Sequence, residues 1–413
     1  MHLCHNPRVV KEAAALADAG FKVTVLGGFL DTALKRRDEE MLRTQKFAFI
    51  PVVDMTRRSR AFSSLRIGKL LYRLTKIENA WQLGQAYPSL AKAARAIDAD
   101  LYICHMEQAL AVGSLLLRDG KRVATDMEDW YSEDLLPQAR RHRPIRLLRH
   151  LEQQLLRQGA FGICTSHVMA KALANSYNCV QPAVIYNVFP WADRQRLTGG
   201  MLDRRDASKP SIYWFSQTLG PERGLEDLVL SLPFINQAVE IHLRGKPSVG
   251  GFKEVLEEKI PLEWKDKVFF HSPVHNGELL SRVAEHDIGF AGERPDPPNK
   301  DLTVSNKLFH YLLGGLAIVA SNTSGQKEIS EMANGAIQLY EARNPRSLAN
   351  AINALLSSPA RLKAAKAAAI NSAQSDFCWE VQQYVLTELV ARNLNSDSDL
   401  ATAAGKVADM STG

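Results

Sequence analysis

The stretch HNPRVVKEAAALADAGFKVTVLGG, residues 5–28, reads as a helix followed by a strand. Asn6 suits an N-cap and Pro7 the first helical turn. Val9, Val10, Ala13, Ala14 and Leu16 then fall on one stripe at helical spacing. FKVTVLGG (21–28) follows as a short apolar strand. Outward from it the rhythm repeats: KFAFIPVV (46–53), DLYICH (100–105), KRVATDM (121–127), AFGICTS (160–166) and AVIYNV (183–188), with helical patterns at 80–97 and 108–117. Continuous apolar strands alternating with amphipathic helices imply a parallel sheet covered on both faces. One feature departs from that plan. A doubly wound domain normally opens with a buried strand, and here the first helix starts almost at once: either the start is truncated or this domain dispenses with the strand.

Residues 191–209, WADRQRLTGGMLDRRDASK, turn polar and charged, which predicts a linker at 196–209. The strand–helix rhythm then restarts with SIYWFSQT (211–218), VEIHLRG (239–245), KVFFHSP (267–273), DIGFAG (287–292), LAIVASN (316–322) and AIQLY (336–340). A long Ala-rich helix is expected over 345–372. The expected organisation is α/β, with two doubly wound domains in tandem at 1–195 and 210–375. A helix at 376–394 is expected to pack back on the first domain, with a disordered tail at 395–413. Such sheets bind ligands at the carboxyl ends of their strands. Two of them facing each other would frame a cleft.

Length and composition agree with two globular domains. The 413 residues are 46% hydrophobic and 23% charged, which excludes a wholly disordered chain. No apolar run approaches the ~20 residues that span a bilayer. The start lacks an apolar signal core, so a cytoplasmic location is expected. Five cysteines (Cys4, Cys104, Cys164, Cys179 and Cys378) are far apart and form no CxxC, so neither a disulfide framework nor a zinc cage is expected. The sequence contains no HExxH, P-loop, G-x-G-x-x-G or GxSxG, which removes metalloprotease, NTPase, dehydrogenase and hydrolase readings. The net charge of +6 points to an anionic partner without choosing one.

Six segments, in order, resemble family-4 glycosyltransferases of the GT-B architecture. They are residues 5–28; ADLYICHMEQALAVGSLLLRDGKRVATDMEDWYSEDLL (99–136); CTSHVMAKALANSYN (164–178) with VIYNVFP (184–190); YWFSQTLGPERGLEDLV (213–229); SPVHNGELLSRVAEHDIGFA (272–291); and SNKLFHYLLGGLAIVASNTSGQKEIS (305–330). The resemblance implies transfer of a sugar from a nucleotide-diphosphate donor to an acceptor hydroxyl, with retention and without a metal. It implies no cofactor beyond the donor, and a glycan or lipid-linked acceptor in polysaccharide or surface-glycan synthesis.

On the donor side, Arg223 stands just after a strand at the mouth of a helix, where backbone N–H groups and a guanidinium suit a phosphate. An upstream basic position of the family falls on Gln217. Ser305 or Asn306 can cap the next helix, and Lys307 in its first turn opposes the dipole, a conflict that anionic ligand oxygens would remove. The family's two glutamates fall on Leu302 and His310; His310 can hydrogen-bond a ribose hydroxyl, while Leu302 cannot hold a sugar. Gly325 allows close backbone approach and Glu328 follows it near the sugar and diphosphate. Pro273 and Val274 are the expected base pocket. In the first domain, His105, Glu128 and Asp129 end strands, and the resemblance puts them near the reacting carbon, where they suit proton transfer.

Two basic stretches, 57–76 and 139–157, read as amphipathic elements for an anionic membrane surface. No nucleic-acid motif accompanies them. Two alternatives stay open: an epimerase of the same architecture, and a catalytically silent relative.

Overall fold

The computed structural model describes residues 2–56, 62–140, 143–248 and 250–410, without the side chains of 62–64 and 396–410. The chain forms two compact units. One comprises Met1–Thr165, Ala170–Ile185 and Gln383–Gly413; the other comprises Ser166–Met169 and Tyr186–Gln382. Among the described residues no helix is long and apolar enough to cross a membrane.

In the first unit the apolar runs become β1 (Thr24–Phe29), β2 (Ala48–Asp54), β3 (Tyr102–His105), β4 (Val123–Met127), β5 (Gly162–Cys164) and β6 (Ala183–Val184). All pair in parallel. They do not form the single sheet that was expected. β1 and β2 make a two-stranded sheet, and β3-β4-β5-β6 a separate four-stranded one. In the doubly wound order 3-2-1-4-5-6, the opening strand sits between the second and fourth. The division between β1 and β3 falls at that place. The helix Pro7–Asp18 is capped as expected, Asn6 accepting from the Val9 amide. Its apolar stripe packs with Phe47, Val23 and Val25. The helix Met106–Arg118 buries Leu110, Val112 and Leu116.

The two basic stretches part company here. The helix Ile145–Gln158 buries Leu148, Leu151, Leu155 and Leu156. Around it Arg140 and Arg149 pair with Glu133, and Arg143 with Glu107 and Asp134. The helix of the 139–157 stretch thus turns its apolar side to the unit's core, with Arg146 and Arg157 exposed; Arg141 and His142 lie outside the described residues. The helix Phe62–Thr75 differs, with Leu70, Leu71 and Leu74 exposed. Residues 57–61 of that stretch lie outside the described residues.

The second unit has β7 (Ser211–Leu219), β8 (Glu240–Pro247), β9 (Val268–His271), β10 (Ile288–Ala291), β11 (Ala317–Ser321) and β12 (Ile337–Tyr340) in one parallel sheet of order β12-β11-β10-β7-β8-β9. One face is apolar: Ile212, Trp214, Ile241, Leu243, Ile288 and Phe290 pack with Leu225, Leu228, Ile352 and Leu355. The strand order reverses between β7 and β10, the place where open α/β sheets take ligands.

On the opposite face of β7 and β8 lies a buried polar layer. The His242 ring meets His271 at 2.9 Å and Glu240 at 3.1 Å, and His286 meets Ser211 at 3.0 Å. Residues 196–209 reach into this layer. Asp203 binds Arg244 and approaches His271 at 3.5 Å and His286 at 3.8 Å. Arg204 pairs with Glu240 and Asp287 at 3.3 and 3.1 Å. The segment is held because β8 offers Glu240, His242 and Arg244 on one face, and buried polar groups need partners. Two further expectations change. The Ala-rich stretch is two helices, Pro345–Leu356 and Pro359–Ser375, broken where Ser358 caps the second and Pro359 opens it. The last helix, Trp379–Met410, runs into the stretch expected as a tail.

Candidate functional sites at the strand ends of each unit

In the first unit, His105 ends β3 and Glu128 follows β4. The parallel register places His105 beside Asp126. Three carboxyl groups surround the imidazole. Nδ1 lies 3.2 Å from Glu128 and 3.5 Å from Asp126, and Nε2 lies 3.4 Å from Glu12. Arg8 is 1% exposed and forms a two-pronged pair with Asp126 at 2.6 and 3.1 Å. The same guanidinium donates to the Ile185 carbonyl at 2.8 Å and meets Glu12 at 3.1 Å. Asn6 donates to Glu128 at 3.2 Å.

Burial disfavours a charged His105, yet Glu12, Glu128 and Asp126 outweigh it and raise the imidazole to about 9. Burial, with Asp126 beside it, pushes the Glu12 carboxyl up to about 8. Asp126 goes the other way: Arg8 and His105 overcome its burial and hold it below the usual carboxylate range. Met106, directly after His105, has φ +68°, a left-handed conformation a long side chain seldom adopts. Its amide donates to the Tyr131 hydroxyl at 3.2 Å. Strain of this kind at a strand–helix junction is typical of functional positions.

The turn after β4 is fixed from beneath. Trp130 donates to the Tyr177 hydroxyl at 2.9 Å, and Tyr177 donates to Glu152 at 2.5 Å. The Ser132 amide donates to the other Glu152 oxygen at 2.9 Å. Asp129 is half-buried in this turn, and its charge acts on Tyr131 and Asp134.

In the second unit, the turn after β7 carries Glu222 at φ +61° and Gly224 at φ +75°. A Cβ on Gly224 would stand 2.7 Å from the Gly292 Cα, so the loops after β7 and β10 touch backbone to backbone at the switch point. Arg223 donates to Ser216 at 2.6 Å. Across from it, Lys307 Nζ meets Glu293 at 2.7 Å and Ser305 donates to the same oxygen at 3.0 Å. Glu293 is lowered below its usual range, Lys307 outweighing burial. The dipole conflict expected at Lys307 is thus relieved inside the protein. Gln217 is exposed on β7. Asn306 accepts from Asn187 at 3.2 Å. His310 packs its ring 3.7 Å from that of Phe189, and its Nδ1 is 3.2 Å from the Asn306 carbonyl.

Two residues have protein partners where a ligand was expected. A Cβ on Gly325 would meet the Thr303 and Leu302 carbonyl oxygens at 2.6 and 2.7 Å, so this glycine admits the chain's own backbone. Glu328 accepts from the His167 and Val168 amides at 3.0 and 2.8 Å and from the Tyr186 hydroxyl at 2.6 Å. Pro273 and Val274 lie in the loop after β9, Pro273 exposed and Val274 half-buried. Sequence reasoning missed Arg8, Glu12, Asp126 and Glu293. Glu293 stands two residues past a strand end, and Arg8 and Glu12 are four apart on one helix face; both signals were present.

No family model and no curated protein matches the chain in sequence. Solved structures do match in fold. Sucrose-phosphate synthase from Thermosynechococcus elongatus superposes with a TM-score of 0.68 at 16% identity, covering 95% of this chain and 94% of that one. Anabaena HepE in complex with UDP gives 0.65 at 18%, covering 94% and 95%. A glycosyltransferase from Rickettsia africae gives 0.63 at 14%, covering 92% and 93%. The chain therefore has the α/β fold of GT-B glycosyltransferases, over nearly its whole length.

Proposed function

We propose that this protein is a glycosyltransferase that moves a sugar from a nucleoside-diphosphate donor to an acceptor hydroxyl, retaining the anomeric configuration and without a metal. The observation that carries this reading is the end-to-end likeness to HepE, a structure that holds UDP and, in another complex, UDP-glucose. The loops after β7 and β10 are the donor site in this reading. Arg223 holds the diphosphate, with Lys307 and the backbone N–H groups beside it. Their fixed charge would stabilise the leaving diphosphate as the glycosidic bond breaks. His105 and Glu128 would serve the sugar and the acceptor hydroxyl.

Thermal shift with UDP, GDP, TDP, CDP and ADP tests the donor site. UDP is expected to stabilise the protein by ~2.7 kcal/mol at a hundred times its dissociation constant. Arg223→Ala should remove most of that shift. Equal, negligible shifts with all five would sink the reading.

The acceptor belongs to surface-glycan or polysaccharide assembly, at an anionic membrane. The helix Phe62–Thr75 supports this: Leu74 is 74% and Leu70 55% exposed, and Lys69 and Arg73 lie on the same helix. Each basic residue near an anionic surface adds ~1 kcal/mol. Cosedimentation with phosphatidylglycerol vesicles at low salt should fall at least tenfold in Leu70→Glu/Leu74→Glu. Equal binding by both proteins would remove the helix from the account.

A further inference from the structure

We propose that Glu12 is the positioning residue for His105, holding Nε2 from beneath so that Nδ1 faces Glu128. This rests on the reading of His105 and Glu128 as part of a transfer site. The imidazole lies between Glu12, 3.4 Å from Nε2, and the pair Glu128 and Asp126, 3.2 and 3.5 Å from Nδ1. Glu12 is 2% exposed, whereas Glu128 retains 19% of its side-chain surface. Only the outer partner can meet a substrate. The inner one acts through the ring.

Glu12 lies beside the Asp126 carboxyl as well as the Arg8 guanidinium and the His105 ring. Both its oxygens are buried and neither has a geometrically good hydrogen bond. A buried carboxyl left in that state is costly, and persists where neighbours compensate. Here the compensation is the Arg8 guanidinium at 3.1 Å and the His105 ring. Arg8 meets Glu12 at 3.1 Å and Asp126 at 2.6 Å, so both carboxyl groups are ion-paired within the cluster. The groups facing His105 are Glu12 and Arg8 from the first helix, Asn6 at its cap, Asp126 and Glu128 from β4 and its end, and Tyr131 from the following turn.

An imidazole held at both nitrogens has one orientation and donates from both when protonated. Glu12, together with Glu128 and Asp126, favours that doubly donating form and outweighs burial, which raises the ring to about 9. The outward Nδ1–H then binds Glu128 and orients its free oxygen. Without Glu12 the ring is free to turn over, and it loses its proton nearer the ordinary histidine range.

The test is NMR titration of the His105 ring, assigned through His105→Gln, in wild type, Glu12→Gln and Glu12→Met. Wild type should titrate well above 6.5. Glu12→Met should lower the midpoint by more than one unit, and Glu12→Gln by less, because the amide still accepts from Nε2–H. A midpoint moved by under 0.3 unit in both variants overturns the proposal; Glu12→Gln alone decides it if Glu12→Met does not fold. With UDP-glucose and an acceptor, the alkaline limb of kcat/KM should move down in pH in step with the midpoint. A shifted midpoint in a protein without transfer activity would keep Glu12 in its role and overturn the transferase reading. Transfer with an unmoved alkaline limb would overturn the role of Glu12 alone.

Discussion

Arg8→Met is expected to lower the stability of the first unit by ~3–5 kcal/mol, the range found when one partner of a buried ion pair is removed. Methionine replaces most of the lost volume, so a cavity is a small part of the effect. The cost lies in what remains. Asp126 is fully buried and its two strong contacts are to this guanidinium. Glu12 stays buried beside it, and the Ile185 carbonyl loses its donor. For a unit of ~150–250 residues the loss corresponds to roughly 6–20 °C in Tm. Urea denaturation followed by tryptophan fluorescence measures it. A variant within 1 kcal/mol of wild type would show that the cluster is not a stability determinant. Adding Asp126→Asn to Arg8→Met should recover part of the loss, because the stranded charge is then gone.

The second unit should lose stability on mild acidification. Burial, with neighbouring His286 and His271, pushes His242 down to about 2, and burial also lowers His271 and His286. These rings are neutral in the fold and must stay so. The unfolded chain takes up protons at the ordinary histidine value, near 6.5, while the folded chain does not. Stability is therefore complete above 6.5 and falls as pH drops below it. His242 alone should cost ~2 kcal/mol by pH 5, from 1.5 units at 1.36 kcal/mol each. The surrounding Asp203, Glu240, Asp287, Arg204 and Arg244 are already paired with one another and leave little freedom to accommodate the new charge. The first unit has the opposite slope from His105. A raised imidazole gives stability that is complete below 6.5 and lost as pH rises through about 9. Hydrogen exchange at pH 5, 7 and 9, resolved by unit, separates the two. A second unit equally protected at pH 5 and 7 would sink the acid prediction.

Much of the fold was legible. Each of the twelve strands among the described residues overlaps a run that reads as apolar, to within a residue or two at its end, because parallel strands covered by helices are continuous in sequence. Strand pairing is non-local, so the split between β1 and β3 could be suspected from the missing opening strand but not located. The packing of 196–209 was not legible, because composition reports polarity, not burial. Asp203 and Arg204 look solvated until β8 is seen to carry Glu240, His242 and Arg244 at alternate positions. That alternation was visible in VEIHLRG. His105 and Glu128 were found by their place at strand ends. Glu12 was not, since a charged residue on an amphipathic helix normally faces water, and only the fold turns this one inward.

The divided sheet of the first unit has a consequence for cooperativity. No strand pairing joins β1-β2 to β3–β6 among the described residues. The two blocks are coupled instead by the helix Tyr87–Ala96, which packs on β1, on β2 and on the helix Met106–Arg118, and by the side chains that Asn6, Arg8 and Glu12 send to β4 and His105. Those side chains are thus fasteners as well as chemical groups. Loss of the His105 proton is expected to slacken that fastening, so hydrogen exchange at pH 9 should show β1-β2 opening more readily than β3–β6.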